Sequence, residues 1–437
     1  MRGEVTGEID LRLQALMFGL AGGDDAGVSL PAARRAVRRR FHRLYRRRRL
    51  RHTISSSTVA AGLFAGAHQL PNPSRSEQPF VERPVDAESG PAHSWTWDEA
   101  AGVDREAADP GALIDGDRLH VFTTSSADGR VPRFTSIGAG PTAGPGQLAG
   151  DAMPSRPDWV DPDDDAIWAP QVARVGDRYV MWFAATSGRS EDGGMKCLGA
   201  AVATAPDHAF VPLPEPLLCT PGYWNIDPYP VVDGDRVYLL WRQDGPAHVT
   251  GTVVAAELRP DGLAPARADS PPTTLLVGAY PWEEGYPGSG SPGVGPIENP
   301  ALARHPETGE WLLTWSANLW ETQRYATGLA VCAGPLGPCD RVSREEPWVG
   351  TSDDAGVVTS SRFGGAGGLS FATDGEGDQL YAVLHAYSGA GEAPATPRVS
   401  WVFRVAVDSR AGTGSRPTYR LVDVVGNRSA QVSVNGS

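Results

Sequence analysis

The sequence predicts an all-β fold, a five-bladed β-propeller, and three observations support this prediction. The chain has 437 residues, of which 52 are glycine and 38 are proline, a composition that favours many short strands joined by tight turns. A segment made of a turn and a strand recurs five times along the chain. The stretches between the copies are broken by glycine and proline and show no long helical period.

Each copy of the recurring segment has a turn containing glycine, followed by a run rich in Val, Leu, Tyr, Trp and Phe. The copies are IDGDRLHVFTTS at 114–125, VGDRYVMWFAAT at 175–186, VDGDRVYLLWRQ at 232–243, ETGEWLLTWSAN at 307–318 and EGDQLYAVLHAY at 376–387. A turn followed by such a run is typical of a β-hairpin. The copies lie about 60 to 75 residues apart, which leaves room for one four-stranded blade each. The alternative is an all-β sandwich in which the hairpins recur by coincidence.

The chain divides by composition into five predicted parts. They are a basic tail at 1–52, an apolar segment at 53–68, a linker at 69–90, the propeller at 91–428 and a short tail at 429–437. The first 70 residues hold 13 Arg and 5 acidic residues, a charge of +8, so the total of −13 leaves −21 for the remainder. Such an acidic body argues against nucleic acid as a partner, because phosphate contacts need clustered cations.

An arginine run before an apolar segment is the layout of an export signal or a membrane anchor. The uncharged stretch 53–67 is shorter than the roughly 20 residues that a membrane-spanning helix needs. We therefore expect a secreted or membrane-anchored, extracytoplasmic protein whose only membrane contact is this segment. A disordered basic tail is the alternative.

The four cysteines form two local pairs, and none lies in the N-terminal part. An even count in local pairs suits an exported protein with two disulfides, which we expect to be Cys197–Cys219 and Cys332–Cys339. The spacings match no zinc site, and no histidine cluster accompanies them. Four reduced, buried thiols are the alternative.

Acidic residues precede matching strands in three blades. Asp109 in ADPGALI and Asp227 in NIDPYPVV both stand directly before a proline, and Glu298 in IENPAL stands two residues before Pro300. Because the innermost strands of a propeller surround one axis, we expect these carboxylates to converge at one end of the channel. Turn or cap chemistry is the alternative for each of them.

Converging carboxylates raise the pKa of at least one of their number, so a protonated acid can face an ionised base near neutral pH. Glycosidic bond cleavage needs that pair, and a third carboxylate can hold the acid in place. A phosphotransferase would need a glycine-rich cradle or clustered cations, and the sequence shows neither at these motifs. Tryptophan rings suit the faces of sugars, and Trp168, Trp224, Trp282 and Trp320 lie near the motifs.

The ordered set ADPGALI, WAPQV, NIDPYPVV and IENPAL resembles glycoside hydrolase family 43, over roughly residues 95–425. Its members are five-bladed propellers that act, with inversion, on polysaccharides containing arabinose or xylose. The resemblance implies that Asp109 is the general base, that Glu298 is the general acid and that Asp227 orients Glu298 and tunes its pKa. We expect Trp168, Trp224 and Trp320 to bind substrate, and no cofactor to be required.

The sequence departs from the family pattern in blade five. Members commonly carry a Gly-Pro-Gly-His motif there, whereas this chain has GAGGLSF at 365–371, with Gly368 in place of the histidine. That histidine often helps to hold a cation, so its absence argues against a bound calcium. We interpret His385 as a core residue, with a ligand role as the alternative. A non-catalytic carbohydrate-binding propeller, or a related glycosidase or phosphorylase with another substrate, remains open as the function.

Overall fold

The structure is a computed structural model. It describes residues 106–136, 146–245, 251–267, 270–283, 296–352, 357–358, 363–375, 377–388, 397–408 and 417–423. The predicted apolar segment 53–68 and the predicted boundaries at residues 52, 68, 90 and 428 lie outside these ranges. Within them, no helix has both the length and the apolar character that crossing a membrane requires.

The described residues form a five-bladed β-propeller, as predicted, in which each blade is a four-stranded antiparallel sheet of consecutive strands. Blade one consists of β1 (Gly111–Asp115), β2 (Arg118–Phe122), β3 (Pro132–Ser136) and β4 (Gly146–Asp151). Blade two consists of β5 (Trp168–Val175), β6 (Arg178–Thr186), β7 (Lys196–Ala203) and β8 (Val211–Pro212). Blade three consists of β9 (Trp224–Asp233), β10 (Arg236–Asp244), β11 (Gly251–Leu258) and β12 (Thr273–Val277).

Blade four consists of β13 (Ile297–Arg304), β14 (Trp311–Ala317), β15 (Ala326–Cys332) and β16 (Cys339–Arg341). A separate two-stranded sheet follows, made of β17 (Thr351–Ser352) and β18 (Val357–Val358). Blade five consists of β19 (Phe363–Thr373), β20 (Leu380–Ser388), β21 (Arg398–Asp408) and β22 (Thr418–Asp423). The described helices are two short 3-10 turns, Ser190–Asp192 and Pro281–Glu283.

The five predicted hairpins are confirmed as the turn and second strand of each blade. In blade one the register pairs Asp115 with Arg118 across a two-residue turn. Gly116 in that turn has a φ of 58°, a left-handed conformation that glycine adopts without steric cost. The innermost strand of each blade therefore ends at this turn, and in blades one, three and four the predicted carboxylate motif lies towards the other end of that strand.

The core lies between neighbouring blades. One buried cluster joins blades three, four and five around Trp315, and another joins blades two and three around Trp182. Two further clusters join blade one to its neighbours, around Phe183 on one side and Phe134 on the other. Because the bulky residues of each sheet fill the wedge beside the next sheet, the innermost strands are held around a common channel.

The ring closes between blade five and blade one without sharing a strand, since each blade is built from a continuous stretch of chain. Ala107 donates its backbone N–H to the Arg398 carbonyl at 2.8 Å, and Ser400 donates its hydroxyl to the Ala107 carbonyl at 3.0 Å. The Arg398 guanidinium pairs with Glu106 at 2.7 Å. These contacts fasten the segment before β1 to the first residues of β21.

Both predicted disulfides are present. Cys197 near the start of β7 is bonded to Cys219 in the segment before β9, and Cys332 at the end of β15 is bonded to Cys339 at the start of β16. The described residues contain no free cysteine. The alternative of four reduced thiols is therefore wrong.

Candidate active site

The chain bulges at an equivalent point in every blade, within the innermost strand or, in blade one, two residues before it. One residue of each bulge has a positive φ, between 44° and 59°, and these residues are Asp109, Ala169, Asp227, Asn299 and Gly368. In blades two to five the strand register shifts across the bulge. Four of the five residues are not glycine, although non-glycine residues adopt this conformation uncommonly and often at functional sites. The repeated bulge thus sets five equivalent positions at one end of the channel.

Asp109 and Asp227 occupy equivalent positions in blades one and three. In blade four the equivalent residue is Asn299, not Glu298, which precedes it by one residue. Glu298 corresponds instead to Trp168 of blade two, the residue before Ala169. This offset of one residue turns the Glu298 side chain towards different neighbours from those of the two aspartates.

Asn299 links all three carboxylates. Its backbone N–H donates to Asp227 Oδ2 at 3.1 Å, and its side-chain amide donates to Asp109 Oδ1 at 3.4 Å. The same amide nitrogen donates to the Tyr325 hydroxyl at 2.9 Å, and that hydroxyl donates to Glu298 Oε1 at 2.7 Å. The three predicted acids, from three blades, are therefore brought together around one asparagine.

Glu298 lies between a phenol and a guanidinium. Its Oε1 accepts the hydrogen bond from Tyr325, and its Oε2 contacts Nη1 of Arg242. Arg242 also makes two hydrogen bonds of 2.7 Å to Asp244, which is fully buried. The carboxyl group of Glu298 is therefore held at both oxygens, and the charge of Arg242 is shared between two carboxylates.

Burial raises the pKa of Glu298, because desolvation disfavours its charged form. Arg242 and the Tyr325 hydroxyl oppose this rise, and the negative charge of Asp109 adds to it. The pKa of Asp227 is raised well above its usual range, first by burial and then by the charges of Glu298 and Asp109. Two of the three carboxyl groups are thus biased towards the protonated form, which suits an acid and its partner.

Asp109 is the most open of the three carboxylates, with 17% of its side chain exposed. Its Oδ2 accepts a hydrogen bond of 2.7 Å from the Thr124 hydroxyl, whose oxygen in turn accepts the backbone N–H of Ala169 at 3.0 Å. Asn299 approaches the other oxygen. Asp109 is therefore oriented from blades one, two and four while part of it still faces solvent.

His385 lies fully buried beside Asp109, so its place in the core agrees with the interpretation from sequence. Its Nδ1 accepts the backbone N–H of Asp109 at 2.9 Å, and its ring stacks on Tyr325 with centroids 5.7 Å apart. Burial lowers the pKa of His385 to about 3, with the charge of Arg398 as the next cause. The ring is therefore neutral at ordinary pH, and its proton resides on Nε2.

The residues present do not reproduce the cation site that the family resemblance implies. Gly368 supplies no side-chain ligand atom, and His385 uses its Nδ1 lone pair for Asp109 and carries a proton on Nε2. Elsewhere among the described residues, Asp192, Cys197 and Cys219 lie close together, but both cysteines belong to a disulfide. Neither group offers the set of oxygen ligands that calcium prefers.

The predicted tryptophans occupy different environments. Trp168 and Trp224 are half-buried at the starts of β5 and β9, and Trp320 is 38% exposed in the segment after β14. Trp282 is buried and packs on Trp315, with ring centroids 6.1 Å apart, so it belongs to the core. The first three are therefore partly exposed, as a sugar platform requires.

Sequence reasoning missed four residues that hold the carboxylates: Thr124, Arg242, Asn299 and Tyr325. Arg242 carried a signal, because it is the one basic residue in the apolar run of its repeat, VYLLWRQ. Asn299 stands inside a motif that was recognised for Glu298. Thr124 and Tyr325 gave no signal, since their roles depend on contacts between blades.

We expect Asp227→Asn to stabilise the protein at neutral pH and to lower kcat by about tenfold or more. The folded-state pKa of Asp227 is raised, so its favourable contribution is full at low pH and is lost as the pH rises through that pKa. Asparagine removes this loss and can still accept the Asn299 N–H. The melting temperature of the variant should therefore exceed that of the wild type, and the difference should grow between about pH 4 and pH 7.

Asp261→Asn is the control of opposite sign. A hydrogen bond from the Leu263 backbone lowers the pKa of Asp261, so removing its charge should cost stability as the pH rises. Scanning calorimetry of both variants from about pH 2 to about pH 7 measures the two slopes, because the cost at Asp261 develops below about pH 5. A melting temperature of Asp227→Asn that falls below the wild type with rising pH would contradict the effect of burial described here.

Comparison with known proteins agrees with the fold and the motifs. The family model for glycosyl hydrolases family 43 matches residues 103–405. A crystal structure of a thermostable family-43 glycoside hydrolase is similar at a TM-score of 0.57 and 21% identity, covering 72% of this chain and 92% of that one. An endo-1,4-beta-xylanase from Bacteroides thetaiotaomicron matches at 0.53 and 19%, covering 76% and 98%.

An exo-1,5-alpha-L-arabinanase from a bovine ruminal metagenomic library matches at a TM-score of 0.53 and 17% identity, covering 72% of this chain and 97% of that one. A search of curated protein sequences gives no match. At these identities the solved structures agree in fold, whereas the family model covers most of the chain. The chain therefore belongs to the glycosyl hydrolases of family 43 and is a glycosidase.

Proposed function

We propose that this protein is an exported glycosidase that cleaves arabinose- or xylose-containing polysaccharides or oligosaccharides with inversion of the anomeric centre. Asp109 acts as the general base, Glu298 as the general acid, and Asp227 orients Glu298 and tunes its pKa. The observation that carries the proposal is the link through Asn299, which joins Asp109 and Asp227 directly and Glu298 through Tyr325.

The environments of Glu298 and Asp109 support this division of roles. Glu298 has a pKa raised by burial, so it can keep the proton that the leaving oxygen needs. Asp109 is the most open of the three and is held by Thr124 and Asn299, so it can accept a proton from a water that enters beside it. Cleavage then proceeds as the water attacks the anomeric carbon while Glu298 protonates the departing oxygen.

The hydrogen bonds between the two groups set an upper bound on their separation. Contacts of 3.4, 2.9 and 2.7 Å join Asp109 Oδ1 to Glu298 Oε1 through Asn299 and Tyr325, so these oxygens are at most about 9 Å apart. Inverting glycosidases hold their carboxyl groups about 6.5–9.5 Å apart, and retaining enzymes about 5–5.5 Å. The upper bound admits both spacings, and the stereochemistry rests on the family resemblance.

The substrate class rests on the relatives. The similar structures include an endo-1,4-beta-xylanase, an exo-1,5-alpha-L-arabinanase and an alpha-L-arabinofuranosidase from Lactobacillus brevis. Export is supported by the two disulfides, since such bonds persist in oxidising compartments, and by the arginine run before the apolar segment.

Sugar release by the full-length chain tests the proposal. Arabinan, arabinoxylan, xylan and fructan would be incubated with the wild type, with Asp109→Asn and with Asp117→Asn, an exposed turn residue that serves as the matched control. We expect arabinose or xylose from the wild type and the control, and little from Asp109→Asn. NMR of the first-formed product should show the inverted anomer.

Three other outcomes would overturn parts of the proposal. A retained anomer would exclude the inverting mechanism. Turnover that depends on added phosphate would indicate a phosphorylase, which needs a free cationic site. Binding of a polysaccharide without hydrolysis of any would indicate a carbohydrate-binding propeller.

A further inference from the structure

The chain contains a single lysine, Lys196, among 39 lysine and arginine residues. It is the first residue of β7, and its side chain is only 2% exposed. Lysine is almost never buried to this extent unless its charge is compensated. The other 38 residues of this set are all arginine, and the single lysine ammonium group lies inside the propeller.

The ammonium lies between a carboxylate and an indole ring. Its Nζ is 3.5 Å from Asp164 Oδ2 and 3.5 Å from the centre of the Trp168 ring. Asp164 is itself fixed by a hydrogen bond of 2.7 Å from the Thr186 hydroxyl. The distance to the ring is well inside the range of a cation–π interaction, and the low exposure strengthens that attraction.

The symmetry of the propeller relates this contact to one in the catalytic group. Trp168 and Glu298 are equivalent residues, each directly before its bulge. Lys196 pairs with Thr186, two positions beyond the Ala184 that faces Trp168. In blade four Ser316 faces Glu298, and the residue two positions beyond Ser316 lies opposite Tyr325 when the register of β14 and β15 is continued by one residue. The position of Lys196 relative to Trp168 is therefore equivalent to the position of Tyr325 relative to Glu298, whose carboxyl group Tyr325 contacts.

Blade five repeats the arrangement with an arginine. Gly367 faces His385, and two positions further along β20 Tyr387 pairs with Arg398. Arg398 lies 4.4 Å from the ring centre of Trp320 and pairs with Glu106 at 2.7 Å. In both blades that adjoin blade one, a cation at this register thus touches a carboxylate and a partly open tryptophan.

We propose that Lys196 is a positioning residue that fixes the Trp168 ring as a sugar-binding face beside Asp109. This inference rests on the proposed function. Ala169 directly follows Trp168, and its N–H donates to the Thr124 hydroxyl, which in turn donates to Asp109. The backbone beside the Trp168 ring is therefore linked to the proposed base by two hydrogen bonds. A sugar stacked on the open part of Trp168 is then presented to the base in a defined orientation.

The first test is kinetic and uses the full-length chain. Lys196→Met keeps the length and apolar stem of the side chain but removes the charge. We expect KM to rise about 2- to 30-fold, which is the cation–π range converted at tenfold per 1.4 kcal/mol, and kcat to change less than KM. In the background of Trp168→Ala, adding Lys196→Met should raise KM no further, because the ring on which the lysine acts is gone.

Arg236→Met is the matched control. Arg236 also pairs with a carboxylate, Glu257 at 2.8 Å, and lies 5.1 Å from the ring centre of Tyr238, but it follows the turn at the opposite end of the propeller. Its removal should leave KM unchanged. An equal KM for Lys196→Met and Arg236→Met in an active enzyme would overturn the proposal.

The second test needs no variant of Lys196 and no turnover. Because the chain has one lysine, growth with [ε-13C]lysine gives a single side-chain resonance in the full-length protein. Ring current from Trp168 should shift it upfield, and Trp168→Ala should return it towards the value of free lysine. Addition of xylotriose or 1,5-α-arabinotriose to the catalytically impaired Asp109→Asn variant should move it.

The two tests separate this inference from the proposed function. Wild-type protein that hydrolyses no substrate would overturn the proposed function, yet the lysine resonance would still report sugar at Trp168. A resonance that neither trisaccharide moves at saturating concentration would overturn the positioning role, whether or not hydrolysis is seen.

Discussion

Replacing Glu298 with glutamine is expected to reduce kcat on natural glycosides by about 10²- to 10⁴-fold. Glutamine has the same shape and can still accept the Tyr325 hydroxyl, but its amide is not acidic enough to transfer a proton to the leaving oxygen. The measurement is kcat on an arabino- or xylo-oligosaccharide that the wild type hydrolyses, compared with kcat on the 2,4-dinitrophenyl glycoside of the same sugar. That leaving group departs without protonation, so the reduction in kcat on this substrate should be far smaller.

Glu310→Gln is the matched control for this prediction. Glu310 also accepts a hydrogen bond from a tyrosine hydroxyl, that of Tyr419, but it precedes β14 at the far end of the propeller. Its replacement should leave kcat unchanged on both substrates. An equal loss on the two substrates for Glu298→Gln would show that Glu298 does not act as the proton donor.

The pH dependence of kcat should also indicate that Glu298 donates the proton. Glu298 must be protonated to act as the acid, so wild-type kcat on the oligosaccharide should fall as the pH rises through the raised pKa of Glu298. This alkaline fall should disappear with the dinitrophenyl substrate. Arg242 opposes the rise of that pKa, so Arg242→Met should move the alkaline fall to higher pH.

Much of the fold could be predicted from sequence because its determinants are local. A glycine turn such as the one at Gly116 fixes a hairpin within a few residues, and an apolar run after it marks a buried strand. Asp109 and Asp227 were recognisable for the same reason, since each stands beside a proline at the same distance from such a turn. These signals repeat within each blade and do not depend on how the blades meet.

The rest of the site depends on contacts between strands and blades, and these have no local signature. Lys196 begins the third strand of its blade and Tyr325 directly precedes the third strand of another, where register depends on the length of the preceding hairpin. The exact place of Glu298 was also missed, because the spacing to Pro300 grouped it with the aspartates, whereas the bulge belongs to Asn299. A shift of one residue changes the neighbours of a side chain but barely changes a sequence pattern.

Gly368→Ala is expected to destabilise the protein and to reduce its activity, although alanine adds only one carbon. That carbon would lie 2.6 Å from His385 Nδ1 and 3.3 Å from Asp109 Cα. Overpacking of this kind typically costs about 1–3 kcal/mol, in addition to about 1–2 kcal/mol for a left-handed conformation. Because the backbone of Asp109 is hydrogen-bonded to His385, displacement of the ring should also lower kcat. Thermal melting and kcat are measured together.

Gly116→Ala separates the two causes. Gly116 has a φ of 58°, close to the 59° of Gly368, but a carbon added there meets nothing within 4 Å. It should therefore show the cost of the conformation alone. Equal melting temperatures for the two variants would mean that His385 moves aside freely, and would contradict the close packing at Asp109.

The comparison also decides whether the missing family histidine can simply be restored. The equivalent positions of the other four blades hold Asp109, Ala169, Asp227 and Asn299 at similar φ, so the backbone of the bulge accepts a side chain. The obstacle at Gly368 is the His385 ring, which fills the space that such a side chain would need. Gly368→His alone should thus be less stable than Gly368→Ala, and adding His385→Ala should recover part of the loss. Such a recovery would show that the buried ring of His385 can be accommodated only because residue 368 has no side chain.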